Sequence, residues 1–178
     1  IDAVIKQSIF HRNLIKKYGG AVCITHVAHV AVTSSSFWSN KSKGKARKNG
    51  KREEANILKF AGAGLHLEVT KTTNIVGSIF KWHKYHAIHG YKGETMLIAN
   101  CTILANIAQY GAGLYIDRYR RLEISIGTFA NNKAHKTGGA IYGYKISNVA
   151  INCSRFLKGE AYFQGAGLVC KRCNSVFV

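Results

Sequence analysis

The chain has 178 residues, with 26 Lys and Arg against 8 Asp and Glu, a formal net charge of +18. Its 18 Gly, its lack of Pro and its 47% apolar content suit many tight corners better than long helices. No run of about 18 apolar residues is present, which excludes a helical membrane span from this stretch, and the basic surplus points to polyanions: acidic polysaccharide, anionic lipid or nucleic acid.

Taken in order, residues 1–18 read as the tail of one repeat, with Val4, Ile5, Ser8, Phe10 and Asn13 in its columns. Small-residue blocks then begin at Gly19, Gly62, Tyr85, Gly111, Gly138 and Gly165, at intervals of 43, 23, 26, 27 and 27 residues. Eleven and thirteen residues after each start come Val30/Val32, Thr73/Ile75, Met96/Ile98, Leu122/Ile124 and Val149/Ile151. Eighteen residues after it come Phe37, Phe80, Ile103, Phe129 and Phe156, and twenty-one after it Asn40, His83, Asn106, Asn132 and Gly159. Period-2 alternation marks strands with one buried face, each expected to be about 4–5 residues long. Strands that short are stable only when stacked, each bonding to its copy one coil away at about 4.8 Å. The expected fold is therefore all-β: a right-handed, single-stranded parallel β-helix of about six to seven coils. One domain over 1–178 is expected, cut mid-coil from a longer protein. Aliphatics should form one inner column and phenylalanines another, with stacked asparagines forming an amide ladder at a turn. The longest interval holds an insertion at 41–56, in which seven residues are Lys or Arg. It reads as a solvated loop or as a polyanion-binding finger built on Lys43, Lys45, Arg47 and Lys48.

Two further columns carry chemistry. Seven residues after each start come His26, Val69, Lys92, Arg118, Lys145 and Arg172, so the last four should form a cationic row on successive coils. Like charges at that spacing repel unless an anion lies along them or the side chains splay into water. Four residues after each start come Cys23, His66, His89, Tyr115, Tyr142 and Val169, a column expected to point outward, as a half-buried aromatic stack or, less simply, a chelating site. His83, His86 and His89 mimic a helical metal pattern, but on a β-helix they should fall on different sides of a corner. No cofactor and no metal is implied. Asp117, beside Arg118, Arg120 and Arg121, is the best single acid, read as an ion pair in a solvated turn. Paired carboxylates, needed for glycoside cleavage, do not share a column on neighbouring coils. Five cysteines with one lone CxxC, Cys170 to Cys173, read as reduced thiols. Sequons stand at Asn40, Asn100 and Asn152.

GGAV at 19–22 and GGAI at 138–141 carry one signature, and Phe10 to Asn13, Phe37 to Asn40 and Phe129 to Asn132 carry a second, F-x-x-N. The pairing resembles the repeats of polymorphic outer membrane proteins and, more broadly, the pectin-lyase-like β-helix superfamily. That resemblance implies a surface-exposed adhesin passenger. The expected function is a non-catalytic extracellular or cell-surface solenoid, adhesive or scaffolding, with anionic glycans or cell-surface components as partners. A partial or degenerate polysaccharide lyase or hydrolase is the alternative. Nucleic-acid binding has charge alone in its favour.

Overall fold

The computed structural model describes residues 2–15, 20–42 and 62–178. Among these residues there is no helix, and every strand pair is parallel. The chain winds as a β-solenoid of about six turns. Each turn contributes a strand to a long sheet, a three-residue strand to a second sheet, and a short strand or single bridge to a third side.

The repeat columns stack in register. Val30 pairs with Thr73, Thr73 with Met96, Met96 with Leu122 and Leu122 with Val149. The neighbouring column runs through Val32, Ile75, Ile98, Ile124 and Ile151, and these two rows of side chains are buried along the inner wall. Facing them, Phe10 stacks on Phe37 at 4.7 Å, Phe37 on Phe80 at 4.6 Å, and Phe129 on Phe156 at 5.0 Å. Ile103 fills the rung between Phe80 and Phe129. Burying each such side chain contributes on the order of 2 kcal/mol.

The long strands are not the short pieces expected. Val22–Thr33, Leu65–Val76, Ile88–Ala99 and Leu114–Ser125 are each 12 residues long and cross a bend. The bend falls on His26, Val69, Lys92, Arg118, Lys145 and Arg172, all left-handed with φ between 53° and 60°. Holding a side chain there costs about 1 kcal/mol or more. Stacking imposes the same dihedral on every coil, so one elbow repeats up the molecule. Two further corners behave alike. One passes through Ser34, Gly77, Asn100, Ile126 and Cys153, the other through Ser39, Trp82, Ala105, Asn131 and Lys158.

Beside the last corner lies the expected amide ladder. Asn13 donates its backbone N–H and its Nδ2 to Asn40 Oδ1, at 2.9 and 3.0 Å. The backbone N–H of Asn106 (3.2 Å) and its Nδ2 (3.0 Å) donate to Asn132 Oδ1 in the same way. His83 stands where an asparagine would. It accepts from the Asn40 N–H through Nδ1 at 3.2 Å, while its own N–H donates to Asn106 Oδ1 at 3.0 Å. A second ladder uses hydroxyls: Ser35 Oγ accepts from the Ser8 N–H, Ser78 Oγ from the Ser35 N–H, and Ser154 Oγ from the Gly127 N–H.

One side chain runs along the axis. Tyr119 is buried and its hydroxyl reaches Thr70, 3.3 Å away and two coils distant, where Thr73 in turn donates to Thr70 at 3.2 Å. It crosses the coil between them at Gly90 and Gly93. A Cβ on Gly93 would overlap its ring, and one on Gly90 would sit 3.0 Å from it. Desolvation pushes the phenol up to about 12.

Two boundaries differ from expectation. Ala3 and Ile5, not Val4, pair with the inward Val30 and Val32, leaving Val4 70% exposed, because alternation puts the intervening residue outside. Lys41 and Ser42, counted with the insertion, form a strand paired with Leu14–Ile15. Lys43, Lys45, Arg47 and Lys48 lie outside the described residues.

Candidate anion-binding elbow

The elbow sets the row. Because the bend recurs at one position per coil, Lys92, Arg118, Lys145 and Arg172 come from successive turns, and all four side chains are exposed. Their coils are spaced at about 4.8 Å by strand pairing. An open groove of about 640 Å³ follows the elbow across four coils, lined among others by His26, Val69, Lys92 and Arg118, with Lys71 and Glu94 also facing it.

The residue just before the elbow organises the cations, which sequence reasoning missed. This column reads Tyr91, Asp117, Tyr144. Lys92 Nζ stands 5.2 Å from the Tyr91 ring centre and the Arg118 guanidinium 5.1 Å from it, with Arg118 Nη1 donating to Tyr91 Oη at 3.0 Å. Lys145 and Arg172 share Tyr144 in the same manner, at 5.3 and 5.7 Å. Two tyrosines thus each hold two consecutive cations against an electron-rich face. The signal for this was the Tyr-Lys pair repeated at 91–92 and 144–145.

Asp117 sits between the two tyrosines and is buried, not in the solvated turn expected of it. Its Oδ1 lies 3.4 Å from Arg118 Nε, an ion pair without a hydrogen bond to that oxygen. Burial raises its pKa, and the opposing pull comes from Arg118, Lys145 and Lys92 in that order. One carboxylate therefore offsets part of a four-cation row.

The column of Cys23, His66, His89, Tyr115, Tyr142 and Val169 forms a stack, more deeply buried than expected. His66 and His89 rings are 4.9 Å apart, His89 and Tyr115 5.2 Å, and Tyr115 and Tyr142 5.3 Å. These four are buried, whereas Cys23 is exposed. His86 also enters, stacking 5.8 Å from His89 and bonding through Nδ1 to Gly111 O at 3.1 Å, so only His83 is carried to a separate corner. Nδ1 of His66 and Nδ1 of His89 share one proton-mediated contact at 2.9 Å. Desolvation holds His86 down at about 4 and His89 well below its ordinary value, while nearby Glu68 partly offsets the fall at His66. Among the described residues no group of three or more His, Cys, Asp or Glu is placed to hold a metal ion.

The five cysteines are unpaired thiols, and burial pushes Cys170 up to about 12, with Cys173 adding to the rise. The sequon at Asn40 is closed by burial in the amide ladder, whereas Asn100 and Asn152 are exposed.

Within residues 127–144, Phe129 occupies the ring column, Asn132 the amide ladder, and Gly138 the left-handed corner opening the next coil. Residues 127–144 match the Chlamydia polymorphic membrane protein repeat. The polymorphic membrane protein repeat thus coincides with one stretch of wall and the turn that follows it. No curated protein and no solved structure matches the chain.

Proposed function

We propose that this solenoid is a non-catalytic, adhesive or scaffolding segment of a cell-surface protein that holds linear anionic polysaccharide along Lys92, Arg118, Lys145 and Arg172. The observation carrying this reading is the elbow itself: an exposed cation on each of four successive coils, tyrosine-braced in pairs, the first two of which, Lys92 and Arg118, line an open groove. Such a row stays close-packed at least cost when sulfates or carboxylates lie along it. The repeat match to a membrane protein family supports the surface setting. Lys92→Ala combined with Lys145→Ala should elute from immobilised heparin at clearly lower salt than the parent. Unchanged retention rejects the row as the site, and DNA displacing heparin at equal charge transfers the reading to nucleic acid.

The alternative, a degenerate polysaccharide lyase or hydrolase, draws on one observation: Asp117 is buried with a raised pKa among three cations. Turnover of pectate or alginate that disappears in Asp117→Asn would establish it.

A further inference from the structure

The chain has two tryptophans, and both lie on one outer face. Trp38 belongs to the strand Ser36–Trp38, whose inward residue is Phe37, so the indole points away from the core. Its register partners are His11 on one side and Lys81 on the other. Trp82 follows Lys81 at the left-handed corner and is 49% exposed. Other coils place Arg12, Ser39, Ala105, Asn131 and Lys158 at that corner, all polar or small. Packing therefore does not demand an indole there, and an exposed indole on a rigid element is a feature of binding surfaces.

The rings are held in place. His11 stacks on Trp38 at 3.8 Å with the planes 9° apart. The indoles of Trp38 and Trp82 are 6.2 Å apart and inclined at 52°. The Lys81 ammonium sits between them, 5.2 Å from the Trp38 ring and 4.4 Å from the Trp82 ring. That ammonium already fills the place a ligand cation would take, which removes quaternary ammonium compounds as occupants. The surroundings are basic. Arg12, Lys41 and Lys84 are exposed, Lys41 and Lys84 are bridge partners on adjacent coils, and residues 9–14, 36–42 and 79–84 contain no Asp or Glu.

We propose that His11, Trp38, Lys81 and Trp82 form a second binding site, which takes an acidic pyranose of a glycan, uronate or sulfated. The apolar C–H face of the sugar lies on the Trp82 indole, and its anion meets Lys81 or Lys84. Ser39 and Ala105, the coil neighbours of Trp82 at the corner, are small and leave its flanks open. Exposed Ile9 and Ile79 stand on the same outer side of these strands as His11 and Lys81, so an anionic bilayer is the competing occupant that the vesicle titration tests. The Lys81 ammonium held against both indoles sets a cation beside a ring face, which suits an acidic sugar. The site lies on a different side of the coil from the elbow and does not rest on the elbow being occupied.

Tryptophan emission reports on this face alone, since no tryptophan exists elsewhere. The full chain is titrated with a heparin-derived hexasaccharide, an oligogalacturonate hexamer, a neutral cellohexaose and phosphatidylserine vesicles. A saturable emission change is expected with an acidic hexamer, with a response to cellohexaose at least about tenfold weaker in affinity. Trp82→Ala, read through Trp38, should weaken the acidic hexamer by about tenfold, and Trp82→Phe should recover part of the loss. The Lys92→Ala, Lys145→Ala variant should titrate as the parent does. Silence with every oligosaccharide, equal affinity in Trp82→Ala, equal response to cellohexaose, or loss of the signal in the elbow variant each overturns the proposal. A response to vesicles alone reassigns the face to an anionic membrane.

Discussion

Two rows climb this solenoid at the same pitch, with opposite consequences. The amide ladder repeats a group that both donates and accepts, so each rung satisfies the next: Asn106 takes a bond from the His83 N–H and gives one to Asn132 Oδ1. The elbow row repeats a group that only donates. Lys92, Arg118, Lys145 and Arg172 cannot bond one another, so each turns to a tyrosine face, to Asp117 or to solvent. Stacking identical residues is thus not stabilising in itself. The sign depends on whether the side chain is its own complement.

The sharpest way to break this contrast is to remove a rung. Asn106→Ala strands the His83 N–H, removes both Nδ2 bonds, to Phe80 O and to Asn132, and leaves a small void. A loss of about 3 kcal/mol or more is expected from urea denaturation. A loss below about 1 kcal/mol would show that the ladder is ornamental.

The next largest effect comes from the odd rung. Burial holds His83 at about 4 in the folded protein, against about 6.5 in the unfolded chain. The unfolded state therefore binds the proton more readily, and acid favours unfolding. Stability should fall as pH drops below about 6.5 and level off below about 4, with His83 alone accounting for about 2 kcal/mol between pH 7.5 and 5. His86, held at about 4 by its own burial, adds a similar amount. His83→Asn restores the common rung and should remove the first contribution while keeping the second. Identical pH profiles for parent and variant would contradict this.

The smallest effect lies at the elbow. Lys145→Ala should change stability by no more than about 0.5 kcal/mol at low salt, in either direction, because the charge is exposed and tyrosine-braced. A loss above about 1.5 kcal/mol would mean that the row is structural after all.

Legibility followed periodicity. The inner columns, the phenylalanine stack and the amide ladder were readable because stacking demands one residue type at one offset, and a 23-to-27-residue interval exposes it. The block at Tyr85, YHAIH, lacks the glycines of the others, yet the intervals on either side place it, and Ile88 pairs with both Leu65 and Leu114. What sequence could not give was anything set by direction rather than by offset. Val4 reads one residue away from the inward position, held by Ala3, because alternation at an edge coil has few partners to fix it. The burial of Asp117 is not legible in its basic neighbours Arg118, Arg120 and Arg121, because Tyr91 and Tyr144 flank it only after winding. The cationic row was legible as a column, but its pairing on tyrosines was not, since the partners sit one offset earlier. Trp38 and Trp82 escaped notice for the same reason: they occupy adjacent offsets on different coils, and only the corner brings them together.

Tyr119 breaks the nearest-neighbour rule that governs solenoids. By passing Gly90 and Gly93 to reach Thr70, it ties the turn that begins at Gly111 to the one that begins at Gly62. A stack of independent rungs can fray one turn at a time from either end. A buried strut across three turns couples their release, so these turns should open as one cooperative block where the flanking turns fray singly.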